Sequence, residues 1–344
     1  MLTRMLYGAY GQTGRLTVDE ALRRGHRPIL AGRDAAKLQQ LERVTGLATA
    51  HLPLERASEL RGALSGLRCV VLAAGPYEVT GPLMRTACLD ARCSYLDINA
   101  AVDDFRDALT CDEAARARDV AVIPGVGYGV VFGECLAAHT TRRVPGATYL
   151  RLSLATATEG RSRAATLSVA QTLTRGGLEV QDGELRNRSI AFSTWRAPNQ
   201  QRFAAMPMAE LVAAYRSTRV PNIVAGIPMS GAAAMVVRAT GTWIGKVVAR
   251  TAARRSGRVG AAPSPVTLAA MRSRIRAEVR NDDGQAAAAL LETGEGYRAA
   301  AAATVGAVES LLQTPRIGAL TPVQAFGADL ALGVTGTHIQ EPQR

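Results

Sequence analysis

Arg4-Met-Leu-Tyr-Gly8-Ala-Tyr10-Gly11-Gln12-Thr13-Gly14-Arg15 is the stretch whose reading decides the fold. A short strand over Arg4–Gly8 runs into three glycines within seven positions. Thr13–Arg24 then reads as a helix with Leu16, Ala21 and Leu22 on one side. A backbone that must turn sharply and approach a pyrophosphate closely needs this scarcity of side chain, and the pyrophosphate then rests on the amides of the helix N-terminus. Glycine spacing alone is weak, but a strand before it and a helix after it point to a dinucleotide site. A tight turn without a ligand would carry the same glycines only at a cost in conformational entropy.

Outward from this stretch, strand and helix alternate. Arg27–Gly32 reads as a second strand and Ala35 to about Val44 as a helix. Arg68–Ala74 is a continuous apolar run, the pattern of a central parallel strand covered on both faces. A helix over Pro82–Asp90, a strand over Ser94–Ile98, a helix over Asp103–Arg118 and a strand over Val120–Ile123 follow. This alternation predicts an α/β fold, a Rossmann-type doubly wound parallel sheet. After Pro124-Gly125-Val126-Gly127 the texture changes. Phe132–Arg143 and Arg161–Arg175 read as helices, and Thr148–Thr156 as a half-buried strand. Glu179–Val180 and Leu185–Arg186 flank a hairpin turn. Arg272–Arg280 alternates Ile275, Ala277 and Val279 with charged residues, and Gln285–Glu292 forms the next strand, so a second domain of α+β type is expected. Ala253–Pro265, rich in Arg, Gly, Ser and Pro, reads as a loop.

The nucleotide is discriminated at the end of the second strand, Leu30-Ala-Gly32-Arg33-Asp34. A carboxylate there accepts from the ribose 2′-hydroxyl of NAD, whereas an arginine pairs with the 2′-phosphate of NADP. Gly32 leaves room for a phosphate, Arg33 can pair with it, and Lys37 lies one helical turn on; Asp34 is the residue that keeps NAD in play. NADPH is therefore the expected cofactor, ahead of NADH. Rival chemistries lack their residues. A tyrosine four positions before a lysine is missing, since Arg33 and Thr242 stand there, and Gly245-Lys246-Val247 lacks the hydroxyl and spacing of a phosphate-binding loop.

Composition bounds the rest. At 344 residues two domains are expected, and 47% hydrophobic residues supply a sizeable core. The formal net charge is +12, and of the 41 basic residues all but Lys37 and Lys246 are arginine. Such a surface suits an anionic partner, although an arginine-rich composition also yields it without selection for binding. Five cysteines, with no room for a secretory leader before the glycine motif, predict a reduced cytoplasmic protein. The scattered histidines and cysteines give no metal site. Val220–Val237, the longest uncharged run, is broken by Pro221, Asn222 and Pro228, so no transmembrane segment is expected.

Taken together, Tyr7–Arg15, Leu30–Asp34, Ala73-Ala-Gly-Pro-Tyr77 with Thr80-Gly-Pro82, Ser94-Tyr-Leu-Asp-Ile98, Ile123-Pro-Gly-Val-Gly-Tyr128, Gly160–Arg163, Tyr215–Thr218, Gly294–Tyr297 and Leu320–Ala328 resemble the saccharopine dehydrogenase-like oxidoreductases. The branch that includes trans-acting enoyl reductases is the most similar. The likeness implies a Rossmann domain over 1–128, an inserted α+β substrate and dimerisation domain over 129–317, and a segment over 318–344 returning to the first. It also implies NADPH-type hydride transfer to a polarised C=C or C=N bond of a small-molecule or carrier-tethered acyl substrate; nucleic acid is not expected. Gly8, Tyr10, Gly11, Gln12, Thr13, Gly14, Arg33, Ala74, Gly75 and Pro76 occupy the matching cofactor positions.

The departures bear on chemistry. Asn99-Ala100-Ala101 stands where the family commonly has Thr-Gly-Glu, Tyr128-Gly129 replaces Phe-Asp, and Ser162-Arg163-Ala164-Ala165 replaces Ser-Arg-Gly-Thr. Family acid–base assignments resting on those groups do not carry over. Hydride transfer still needs positioning and a proton donor. Tyr128 and Tyr77, each following a strand end, are the expected donors, with packed aromatics as the alternative. Asn99 is a candidate for polarising a carbonyl or holding the nicotinamide amide; otherwise it caps a turn. Arg163 is the candidate for a substrate carboxylate or phosphate. An imine reductase and a nucleotide-binding protein without chemistry are the alternatives to an enoyl reductase.

Overall fold

Cys69-Val-Val-Leu72 is buried at every position, as a strand between two helical layers must be. In the computed structural model it is β4, the middle of a seven-stranded sheet. The structure describes residues 4–157, 177–188, 194–229 and 265–341. The strands β1 (Arg4–Tyr7), β2 (Ile29–Gly32), β3 (Thr49–His51), β4 (Cys69–Leu72), β5 (Ser94–Asp97) and β6 (Ala121–Ile123) are joined by a late two-residue strand, Gly318–Ala319. The order is Gly318–Ala319, β6, β5, β4, β1, β2, β3, and every pairing is parallel. The direction of winding reverses between β1 and β4, which opens the carboxyl ends of those two strands to a ligand.

The intervening helices are α1 (Gln12–Arg23), α2 (Ala35–Thr45), α3 (Ala57–Leu64), α4 (Tyr77–Asp90), α5 (Val102–Leu109), α6 (Asp112–Arg116) and α7 (Tyr128–Thr141). Leu6, Leu30, Val71, Leu96 and Ile123 pack from the sheet against Val18, Leu38 and Val308. Three helices differ from the sequence expectation. The helix expected from Pro82 begins at Tyr77 and holds Pro82 inside it. The one expected over Asp103–Arg118 breaks after Leu109, where the Thr110 hydroxyl donates to the Asp107 carbonyl at 2.7 Å and competes with the helical ladder. The third starts at Tyr128, not Phe132.

The second sheet is mixed. Tyr149–Ala155 runs parallel to Asn222–Pro228 and antiparallel to Ser273–Arg280, which pairs in turn with Ala286–Thr293 and then His338–Gln340. Arg202–Ala205 and Thr194–Arg196 extend the other side, and the hairpin Gly177–Gln181/Glu184–Arg188 joins through Val180 and Ile223. Ile275, Ala277 and Val279 are buried while Arg274 and Arg280 are exposed, as alternation requires. The fold is thus a Rossmann-type parallel sheet with a second α+β unit.

The chain divides into two compact units, Met1–Val131 with Tyr297–Thr335, and Phe132–Gly296 with Gly336–Arg344. Most of the helix Gly296–Gln313 therefore belongs with the first unit, ahead of the expected return at 318, and the last residues belong with the second. Among the described residues no helix is long and apolar enough to cross a membrane, and no group of three or more His, Cys, Asp or Glu side chains is placed to hold a metal ion.

Candidate functional site

The glycine loop is shaped by contacts that leave no room for side chains. Gly8 takes φ +87°, and a Cβ there would lie 2.7 Å from the Ala73 carbonyl oxygen. At Gly14 it would lie 2.2 Å from the carbonyl oxygen of Gly8. These two glycines bring the β1 loop against the β4 loop and α1 against the turn. Gly11 differs: its nearest atom would be the Gly8 oxygen at 3.2 Å. It is the N-cap of α1, and no side chain caps the helix there. The first-turn amides, from Gln12, Thr13 and Gly14, are orphan donors of the kind that bind a pyrophosphate. An unfilled helix N-terminus at the switch point fits a dinucleotide.

Across the switch point, Ala73 and Ala74 are half-buried, and Gly75 and Pro76 are exposed. The Thr80 hydroxyl lies 2.6 Å from the Ala74 carbonyl and 3.1 Å from that of Pro76, so α4 holds this loop. Tyr77, at the first position of α4, is half-buried with its ring against Gly75. Burial, aided by the Asp97 and Asp104 carboxylates, pushes the Tyr77 phenol well above its ordinary pKa. The phenol therefore stays protonated and parts with its proton reluctantly. Tyr128, buried, starts α7.

At the end of β2 the Tyr10 ring packs against Gly32, where an added Cβ would lie 2.5 Å from it. The Arg33 side chain is exposed. Lys37 is turned toward its own helix, its ammonium 3.0 Å from Asp34 and 5.5 Å from the centroid of the Tyr10 ring. Asp34 caps α2 by accepting from the Lys37 amide, and that bond with the Lys37 ammonium holds its carboxyl below the usual range.

Asn99 is spent inside the protein. It is 1% exposed, its amide donates to Asp104 at 2.7 Å, and its oxygen accepts from the Ala101 amide at 2.8 Å. The turn-capping alternative describes these contacts. They belong to a buried polar network that the sequence did not reveal. Asp97 accepts from the Tyr95 hydroxyl (2.7 Å) and from the amides of Asn99 (2.9 Å) and Gly125 (2.8 Å). It thereby ties the loops after β5 and β6 together. Burial raises its pKa to about 6, against those hydrogen bonds and with help from Asp104. Arg85, 2% exposed, pairs with Asp104 at 2.9 Å and also with Asp107. A lone acid within a strand of a parallel sheet was the available signal. Arg163 and its expected helix lie outside the described residues, as does the loop expected over Ala253–Pro265 up to its last residue.

A family model described as NAD(P)H-binding matches residues 8–120. No curated protein sequence matches the chain. Among solved structures, the apo saccharopine dehydrogenase (L-Glu forming) of Saccharomyces cerevisiae is similar with a TM-score of 0.68 at 12% identity, covering 99% of each chain. A "probable dehydrogenase" of Thermotoga maritima has a TM-score of 0.50 at 11% identity, covering 96% of this chain and 94% of its own. Residues 8–120 thus match an NAD(P)H-binding domain, within a fold similar to that of saccharopine dehydrogenase.

Proposed function

We propose that this protein is an NADPH-dependent reductase that transfers hydride to a polarised double bond, with an α,β-unsaturated acyl thioester as its substrate class. The observation that carries the reading is the uncapped N-terminus of α1 at the switch point, with Arg33 exposed beside it at the end of β2. The nucleotide would supply the hydride; Gly11, Gln12, Thr13 and Gly14 would hold its pyrophosphate. Ala74, Gly75 and Pro76 would let the nicotinamide ribose approach the backbone, and Arg33, with Lys37 adding positive charge, would take the 2′-phosphate.

The substrate's proton is assigned to Tyr128. Tyr77 suits a hydrogen-bond donor better, because its environment opposes ionisation. Asn99 supports the site by positioning the loop after β5. Arg163 remains the proposed anchor for a substrate carboxylate or phosphate, and the basic composition favours a carrier-tethered substrate. The test is incubation with NADPH and enoyl thioesters or cyclic imines, following absorbance of the reduced nicotinamide. Turnover of enoyl thioesters is expected. Turnover of imines alone would transfer the assignment to C=N reduction, and nucleotide binding without oxidation across both panels would remove the catalytic reading. Tyr128→Phe should lower turnover with NADPH affinity kept within about twofold, since a group acting in the transition state affects rate and not ground-state binding.

A further inference from the structure

Position 32 is where a site for the unphosphorylated dinucleotide carries its acid. Here the missing side chain has a specific occupant. A Cβ on Gly32 would lie 2.5 Å from Cε1 of Tyr10 and 3.0 Å from both its Cζ and its hydroxyl oxygen. The Tyr10 hydroxyl accepts from the Arg33 amide at 3.1 Å. The Lys37 ammonium sits over the same ring and is paired with Asp34. Arg15 Nε donates to the Tyr10 carbonyl at 3.3 Å, and the His51 ring nitrogen lies 3.2 Å from the Arg33 carbonyl. One aromatic side chain therefore joins the glycine loop to the end of β2.

We propose that Tyr10 sets the nucleotide preference of this site. Its ring takes the volume that an acidic residue at position 32 would need, and its hydroxyl fixes the Arg33 backbone so that the guanidinium meets a 2′-phosphate. The proposal rests on the NADPH reading, and Tyr10 is a positioning residue that acts through Arg33. A general packing role would affect both nucleotides alike. A role through Arg33 affects only the phosphorylated one.

Equilibrium titration with NADPH and NADH, followed by nicotinamide fluorescence, separates these cases in four proteins: wild type, Tyr10→Phe, Arg33→Ala and the double variant. Arg33→Ala tests the underlying reading. It should weaken NADPH about 10- to 150-fold and leave NADH within about twofold; equal losses for both nucleotides would defeat the NADPH assignment whatever Tyr10 does. Tyr10→Phe keeps the ring and removes one hydrogen bond. It should weaken NADPH about 3- to 10-fold with NADH unchanged. The double variant should bind NADPH within about twofold of Arg33→Ala, because no guanidinium is left to position. Additive losses, or an unaltered NADPH affinity in Tyr10→Phe, would overturn the proposal. A second pair probes the volume. Gly32→Asp should gain NADH affinity relative to NADPH only when combined with Tyr10→Ala; an equal gain without that truncation would show that the ring excludes nothing.

Discussion

The three glycines of the first loop do different work, and their side-chain spaces say how. At Gly8 and Gly14 an added Cβ would run into backbone, at 2.7 and 2.2 Å, where nothing can rotate away. Gly14→Ala should therefore lower stability by about 1–3 kcal/mol, the usual cost of overpacking, and lose nucleotide binding with it. Gly11→Ala meets its nearest atom, also backbone, at 3.2 Å and should cost less stability than Gly14→Ala while binding NADPH at least about tenfold more weakly. Thermal melting with parallel titration tells them apart, and a Gly11→Ala protein with intact affinity would move the pyrophosphate elsewhere. Such glycines are legible in sequence because a conformational demand is written directly in residue type. The Asp97–Asn99–Asp104–Arg85 network was not. Residue identity does not say which groups face one another, and Asn99 in particular looked available to a substrate although both ends of its side chain are bonded internally.

Elements were legible where their period was strong and blurred at their ends. The buried run of β4 and the alternation of Ser273–Arg280 fixed their strands; β3, with no buried residue, and the short α3 left little trace. Helix starts were the weakest part, since α4 and α7 each begin on a tyrosine that reads equally well as loop. A true start signal does exist near the end of the chain. The Thr321 side chain accepts from the Gln324 amide, and the Gln324 side chain accepts from the Thr321 amide at 3.1 Å, a reciprocal cap on the helix Pro322–Phe326. Thr321 is fully buried. Thr321→Ala should cost about 1 kcal/mol or somewhat more, while Thr321→Ser keeps most of it. Denaturant midpoints would show this, and equal losses for Ala and Ser would mean that the methyl group matters and the cap does not.

Among the described residues, burial makes Asp97, raised to about 6, in the first unit and Glu210, 2% exposed and raised to about 7, in the second reluctant to ionise. Both folded values exceed the unfolded ones, so the folded state binds the proton more tightly. The cost is absent below about pH 3, where both groups are protonated in either state. It grows as pH rises and is complete above about pH 8, reaching about 3 kcal/mol for each group. Glu210→Gln should therefore melt like wild type near pH 4 and higher than wild type near pH 8, flattening the decline between them. Melting curves that shift in parallel at every pH would contradict this origin. The parallel sheet has a temporal consequence as well. Its last strand, Gly318–Ala319, pairs with β6, yet on a ribosome adding about 5–20 residues per second it emerges on the order of ten to forty seconds after β6 does. Throughout that interval the nascent chain presents an unpartnered strand edge, open to other chains, so successful production depends on what shields β6 during translation as well as on the finished protein's stability.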